Sequence, residues 1–260
     1  MKMNRIKKCI KKTLTVFKTV NTYYHNGIIA VKKHLKSNLA LGAINYLSFL
    51  VFFAVCVPPL QSILKSNLYN EVHLTYIDTS NKIILITGLI ISAILLYVSK
   101  IYLLIKNIFN NDTASRASKQ YGSSWIILLT FSYLIDLFGL TIIFFANIFL
   151  SFIHFQWVDH ETLAYIILNI CGFIFWLFIH SFSNLLVPIS MMKTFTIGES
   201  FKYSWHIYWK KKLNIYLVSL YLRFILWDIL SFFTSYLAYI YVYPVKLSSV
   251  VMLINERTKQ

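Results

Sequence analysis

The chain has 260 residues, of which 58% are apolar and only 13% charged, and its formal net charge is +16. The charged share is about half that of an ordinary soluble domain. This length suits one compact helical bundle and is too short for a bundle joined to a sizeable soluble enzyme. The seven glycines form neither a G-x-G-x-x-G nor a G-x-x-x-x-G-K pattern, so we do not expect ATP-driven chemistry.

The first 38 residues form a basic segment that contains ten lysines and arginines and no acidic residue. Apolar residues recur in it at spacings of three or four, which is typical of an amphipathic helix on a membrane surface. These residues are Ile6, Ile10, Leu14, Phe17, Val20 and Tyr24. The pair Asn26-Gly27 predicts a break, after which a second short basic helix would lead into the membrane.

A long uncharged stretch follows, since residues 37–64 contain no charged side chain. A helix rises ~1.5 Å per residue and the hydrocarbon core is ~30 Å thick, so ~20 such residues cross a bilayer. Further apolar runs cover about 83–105, 125–157 and 163–189. The last run, 213–254, suits either two spans with a turn near Asp228, or one span and a re-entrant piece bent at Pro244.

The loops between these runs alternate between basic and neutral or acidic, as the positive-inside rule requires. We therefore predict an all-α, multi-pass helical bundle of about six spans in the cell membrane, with both ends in the cytoplasm. Residues 39–255 would form the membrane domain and 256–260 a short tail. The positive-inside rule already accounts for the basic segment, so we expect no nucleic acid as a partner. We expect anionic lipid headgroups instead.

Three ionisable residues fall inside the apolar runs, namely Asp136, Arg223 and Asp228. Such residues are costly in a membrane and are candidates for function. Arg223 could pair with Asp136, or with Asp228 five positions along its own helix, which is not an ideal spacing for one helix face. A proton or ligand relay is the functional interpretation. The alternative is a structural ion pair, or charges close to an interface.

Other polar residues in the apolar runs give weaker indications of a functional site. Asn169, His180 and Asn184 lie in the fourth run, where we expect hydrogen bonds between helices. A further group can supply metal ligands, but it lacks the helical H-E-x-x-H spacing, so we predict neither a metal site nor a cofactor. This group consists of His154, Asp159, His160 and Glu161.

Residues 196–212 combine aromatic residues at helical spacing with a terminal lysine cluster. Phe201, Trp205 and the pair Tyr208/Trp209 would share one side of a helix that lies in the membrane interface. The neighbouring lysines are candidate contacts for lipid headgroups. They are Lys202, Lys210, Lys211 and Lys212.

Two stretches resemble the membrane domain of Gram-positive membrane-anchored glycerophosphodiester phosphodiesterases. The first runs from Lys36-Ser-Asn-Leu-Ala-Leu to Val57-Pro-Pro-Leu60 and on through Leu74-Thr-Tyr-Ile-Asp78. The second is Pro188 followed by Gly198-Glu-Ser-Phe-Lys-Tyr-Ser-Trp205. The catalytic barrel of that family carries an H-R motif and a nearby E-x-D pair, which this chain lacks. The resemblance therefore implies a stand-alone membrane module with no catalytic residue.

Our leading functional hypothesis is accordingly a non-enzymatic membrane module that binds lipids or a membrane protein partner. The first alternative is a small transporter or permease subunit, which predicts a polar cavity among the spans. Sparse glycine and proline breaks within the runs count against it. The second alternative is an immunity-type membrane protein that protects against a peptide antibiotic, which nothing in the residues discriminates.

Overall fold

The computed structural model describes residues 2–68, 79–109, 111–152, 158–234 and 237–259, and every regular element in these ranges is an α-helix. The helices are α1 (Lys2–Lys33), α2 (Leu35–Leu68), α3 (Thr79–Ile108), α4 (Asn111–Phe152), α5 (Val158–Lys193), α6 (Ile197–Trp209), α7 (Leu213–Phe233) and α8 (Tyr239–Lys259). The predicted all-α bundle is confirmed.

Five of these helices are long and apolar enough to cross a membrane, namely α2, α3, α4, α5 and α7. Large apolar side chains on them face outward, and Leu226 and Phe233 are 73% and 78% exposed. An apolar surface of this extent suits lipid and not water. The protein is therefore a multi-pass membrane protein, while the choice of membrane and the cytoplasmic N-terminus stay predictions.

The five spans are one fewer than the six we favoured, and α8 accounts for the difference. It has 21 residues but carries Lys246, Ser248 and Ser249 near its middle, and it is not among the membrane-capable helices. Most of its residues from Val242 to Ile254 are buried inside the protein. Helix α7 continues to Phe233 and α8 begins at Tyr239, so the turn expected near Asp228 is wrong, because Asp228 lies within α7.

Helix α8 is the helix around which α1, α2, α3 and α7 pack. At Gly27 of α1, a side-chain carbon would overlap the hydroxyl of Ser249, and at Gly42 of α2 it would overlap the carbonyl oxygen of Ile240. Only glycine allows so close an approach of two helix backbones. The break predicted at Gly27 is thus wrong: α1 continues to Lys33, and Gly27 serves its contact with α8.

Helix α1 is amphipathic, and of the predicted stripe Val20 and Tyr24 are buried, whereas the side chains of Ile6 and Ile10 lie outside the described residues. Val16, Val20, Tyr23, Tyr24 and Val31 are buried against the core. Leu14 and Phe17, which we placed on the same apolar face, are 63% and 61% exposed. The contact at Gly27 sets the face that α1 turns toward α8, and this rotates Leu14 and Phe17 away from it. The expected tail 256–260 likewise belongs to α8 as far as Lys259.

Small polar side chains join α2 to α3 in the interior. The Ser48 hydroxyl donates to the Ser92 carbonyl at 2.9 Å, and the Ser92 hydroxyl donates to the Ser48 carbonyl at 2.8 Å. One turn away, Asn45 Nδ2 donates to Ser99 Oγ at 3.2 Å. Such hydrogen bonds between apolar helices are a common means of fixing their register.

The segment predicted as an interfacial helix forms α6, which begins with a capping box. Thr196 Oγ1 accepts from the Glu199 amide, and Glu199 Oε2 accepts from the Thr196 amide at 2.9 Å. The Thr196 hydroxyl also donates to Glu199 Oε2, at 2.8 Å, and the hydrogen bonds from the Thr196 amide and hydroxyl lower the pKa of the Glu199 carboxyl. Trp205 and Trp209 are exposed, whereas Tyr208 is buried and donates to the Phe178 carbonyl at 2.8 Å. The aromatic residues therefore divide between the surface and the core.

We expect Gly42→Ala to lower the free energy of unfolding by about 1–3 kcal/mol, because the new methyl group meets a backbone carbonyl that cannot move aside. Unfolding in mixed detergent micelles measures the change. Gly122→Ala is the matched control, since nothing lies within 4 Å of that position in α4. The control should be neutral or stabilising by up to ~1 kcal/mol, as expected for alanine in a helix interior. Equal stability of the two variants would contradict the assigned α2–α8 contact.

Candidate functional site

A cavity of about 290 Å³, whose mainly apolar wall carries several polar side chains, lies where the apolar helices converge. Each of the five membrane-capable helices contributes to its wall, and α8 contributes most. The polar part of the wall consists of Asn45, Lys100, Asp136, His180, Asn184 and Lys246, and tyrosine side chains from α4, α7 and α8 complete it. We call this space the chamber.

Asp136 of α4 is held by two side chains of α5. Ser183 Oγ donates to its Oδ1 at 2.7 Å, and His180 Nδ1 lies 3.1 Å from its Oδ2. A proton on Nδ1 makes the second contact a hydrogen bond to the carboxylate. Two aromatic residues fix the imidazole: Trp176 stacks on it at 4.9 Å between ring centres, and Tyr221 meets it edge-on at the same distance. Because His180 and Ser183 lie three residues apart, one face of α5 presents both to Asp136.

Lys100 of α3 belongs to the same polar chain. Its Nζ donates to Asn184 Oδ1 at 2.9 Å and lies 4.7 Å from the centre of the Tyr133 ring. Asn184 in turn donates through Nδ2 to the His180 carbonyl at 2.8 Å, and the same Nδ2 lies 3.1 and 3.2 Å from the two ring nitrogens of His180, which places it over the ring. Lys100, Asn184, His180 and Asp136 therefore form a cluster of polar groups in mutual contact. We call these four residues the relay.

A second ion pair borders the chamber. Lys246 Nζ of α8 lies 2.8 Å from Asp228 Oδ2 of α7 and 5.3 Å from the centre of the Tyr221 ring. The pair joins two helices on either side of a chain reversal, so it also closes the α7–α8 hairpin. The side chains of Lys246 and Asp228 are 17% and 35% exposed, so each charge is only partly desolvated.

Two buried polar atoms of the chamber wall have no hydrogen-bond partner among the described residues. They are Asn45 Oδ1, an acceptor, and the Tyr243 hydroxyl, which can donate or accept. Lys100 and Lys246 each make one hydrogen bond with a described side chain, although an ammonium group carries three donors. Buried polar groups normally form hydrogen bonds, so the unused donors and acceptors of this wall could bind a polar ligand.

Prolines lie inside two of the helices that bring polar groups to the chamber. Pro188 lies inside α5, four residues after Asn184. Pro244 lies inside α8, between Tyr243 and Lys246. Proline has no N–H to donate, so the carbonyls of Asn184 and Ile240 each lose their usual helical partner. The helical hydrogen-bond ladder is thus opened beside the chamber on two sides.

The structure separates the three ionisable residues that we grouped. Asp136 lines the chamber and Asp228 does not, and neither pairs with Arg223; their partners are His180 and Lys246. The guanidinium of Arg223 instead lies 5.2 Å from the centre of the Tyr24 ring on α1. Arg223 is two positions after Tyr221, a chamber residue, and ~200° around the helix from it, so it faces away. The possible pairing of Arg223 with Asp136 or with Asp228 is therefore not observed.

Sequence reasoning missed the two lysines. Lys100 lies near the end of its apolar run, where a lysine stem commonly reaches lipid headgroups, but in the structure it is only 6% exposed. Lys246 follows Pro244 in the last apolar run, for which the sequence leaves the number of spans open. The sequence signal for Lys100 was a single basic residue inside an apolar run. The signal for its partners was the pair His180 and Asn184, which lie four residues apart in another apolar run. The hydrogen bonds expected of His180 and Asn184 between helices are confirmed.

The remaining candidates contribute less. The side chains of His154, Asp159, His160 and Glu161 lie outside the described residues, and within the described part no three metal-ligating side chains of His, Cys, Asp or Glu type come together. Lys202, Lys210, Lys211 and Lys212 are exposed, and Lys211 and Lys212 border a groove between α1 and α7.

Comparison with protein-family models, with curated proteins and with solved structures gives no match to this chain. The resemblance to the phosphodiesterase membrane domain therefore rests on the quoted sequence motifs alone.

We expect Lys100→Met and Asp136→Asn to be energetically coupled, because both residues belong to the relay. Each change alone should destabilise the protein, and the double variant should lose less than the sum, with a coupling energy of about 0.5–3 kcal/mol. Unfolding in mixed micelles of the four forms gives this energy. Lys193→Met combined with Asp136→Asn is the control, since Lys193 is exposed at the far end of α5, and its effects should add. Additive effects for Lys100 and Asp136 would argue against the relay as a unit.

Proposed function

We propose that this membrane protein binds a small polar solute in the chamber and passes it between the two sides of the membrane. The observation that carries this proposal is the chamber wall, to which each of the five membrane-capable helices contributes. A bundle that needed only stability would be expected to place apolar side chains there, since an apolar replacement of a buried ion pair is often neutral or stabilising. The proposed role is non-enzymatic.

The chemistry of the wall indicates the class of solute. Lys100 and Lys246 offer cationic donors, Asn45 Oδ1 offers an acceptor, and the Tyr243 hydroxyl can serve as either. Phe49 and the tyrosine rings supply flat apolar surface. A volume of about 290 Å³ lies near the lower end of small-molecule sites. We infer a small zwitterionic or anionic solute with an apolar part.

The Asp136–His180 pair gives the proposed passage a means of coupling to protons. Histidine is the side chain whose ordinary pKa lies closest to neutral pH, and carboxylate–histidine chains serve as proton relays in membrane proteins. A solute anion bound at Lys100 would lie in the same chamber as Asp136, so the two negative groups would compete for the positive charge of that lysine. The interior prolines of α5 and α8 favour movement of helix segments at the same place.

The alternative with a specific observation in its favour is the lipid-binding module that we inferred from the sequence. It depends on a different surface, the groove between α1 and α7, and not on the chamber. A structural role for the relay is the remaining alternative, and in that case the chamber would be closed to both aqueous phases.

Cysteine accessibility tests the passage directly. With Cys9, Cys56 and Cys171 replaced by Ser, we expect Asn45→Cys and Tyr243→Cys in the chamber to react with a membrane-impermeant thiosulfonate added to either side of sealed vesicles. Ser132→Cys is the control, because Ser132 is fully buried in α4 and does not border the chamber. It should react only after unfolding.

The three patterns of labelling have different meanings. Reaction from both sides supports passage. Reaction from one side only would contradict passage and leave a binding cleft. No reaction from either side, with full reaction after unfolding, would contradict both the passage and the binding cleft. The polar residues would then have a structural role only.

A further inference from the structure

A second feature lies on the outer face of the bundle, where α1 and α7 run side by side without closing the space between them. Two adjoining cavities of about 600 and 440 Å³ share Phe17 and Ser219. We call the continuous space the α1–α7 groove. It is separate from the chamber, with which it has no lining residue in common.

The charged residues that line the groove are all basic. Lys18 of α1 and Arg223 of α7 border the larger cavity, and Lys211, Lys212 and Arg257 border the smaller one. No acidic side chain is among the described residues that line either cavity. The groove therefore has a positive potential that an anion would neutralise.

Arg223 is unusual among these basic residues because of its position in α7. It lies within the membrane-capable part of α7, is exposed, and has no acidic partner among the described residues; its one aromatic contact is with Tyr24. A cation at such a position is costly unless it meets an anion. A cation–π contact alone returns only ~0.5–1 kcal/mol at an exposed site.

Apolar side chains surround these cations. Leu14 and Phe17 on α1 and Leu226 on α7 are each more than 60% exposed. Both cavities present more apolar than polar surface. A free inorganic anion would leave this surface uncovered, whereas a molecule with a phosphate and hydrocarbon chains would cover both parts.

We propose that the α1–α7 groove binds one anionic phospholipid, with its phosphate at Lys18 and Arg223 and its acyl chains along Leu14, Phe17 and Leu226. Lys211 and Lys212 extend the positive field toward the polar end of the groove. The site explains why α1 exposes apolar residues beside basic ones, on the side turned away from α8. It is independent of the proposed solute passage.

Native mass spectrometry of the full chain in mild detergent tests this site, with dioleoyl phosphatidylglycerol as the probe and dioleoyl phosphatidylcholine as the neutral lipid. We expect one phosphatidylglycerol per chain, with phosphatidylcholine retained more weakly. The double variant Lys18→Gln, Arg223→Gln should bind phosphatidylglycerol roughly twenty- to thirtyfold more weakly, since each basic residue near an anionic lipid contributes ~1 kcal/mol and a factor of ten is ~1.4 kcal/mol.

Lys32→Gln, Lys33→Gln is the matched control. It removes the same charge from two exposed residues of α1 that do not line the groove, and it should change affinity less than twofold. An equal loss in both double variants would show a diffuse effect of net charge and overturn the proposal, as would a wild-type protein that does not prefer phosphatidylglycerol.

A steric variant separates the site from charge and from folding. Ser219→Trp fills the junction of the two cavities without changing charge, and we expect it to abolish phosphatidylglycerol binding while the melting temperature stays within a few degrees. Retained binding would overturn the proposed position of the lipid. Two other outcomes would also overturn it: glycerol 3-phosphate binding as tightly as the lipid, or a dimer of the chain that phosphatidylglycerol does not dissociate.

Discussion

The arrangement of this bundle depends on the need to shield α8, a helix with a lysine and hydroxyl groups near its middle, from apolar surroundings. Charged and hydrogen-bonding groups at that place require partners inside the protein. Gly27 and Gly42 let the backbones of α1 and α2 approach α8 closely enough to exclude lipid. The pair of Lys246 with Asp228 then satisfies its charge. Helices α1, α2, α3 and α7 thus surround a helix that is too polar to stand alone among lipids.

The same need explains why the polar groups converge in one place. A polar side chain on an apolar helix is stabilised when it faces polar side chains on its neighbours, so Lys100, Asp136 and His180 gather beside Lys246. Once gathered, they form a chamber whose wall carries more donors and acceptors than it uses internally. A structural requirement and a binding site can therefore share residues, and the labelling pattern of the chamber distinguishes the two roles.

The fold class could be predicted because hydrocarbon thickness fixes how long an apolar run must be, and this constraint is local in sequence. The count of spans could not, because α8 has the length of a span but takes its environment from its neighbours. Glycine shows the same limit. Gly27 favours a break by propensity, and only the tertiary contact with Ser249 reveals why a helix interior tolerates it. For the site, Asp136, His180 and Asn184 could be singled out as polar residues in apolar runs. The partner of Asp136 could not, since the choice between His180 and Arg223 depends on the rotation of α5 and α7 about their axes.

Pro244 has a mechanical consequence for α8. Without an N–H at this position, the carbonyl of Ile240 has no helical donor, and Gly42 presses against that oxygen with its Cα–H. The first turn of α8, which brings Tyr239 and Tyr243 to the chamber, is therefore coupled to the remainder of the helix less stiffly than an ordinary turn. Contact with α2 holds this turn in position. A small sliding of α2 along α8 would therefore tilt Tyr239 and Tyr243 together, while Lys246, which follows the proline, would keep its position.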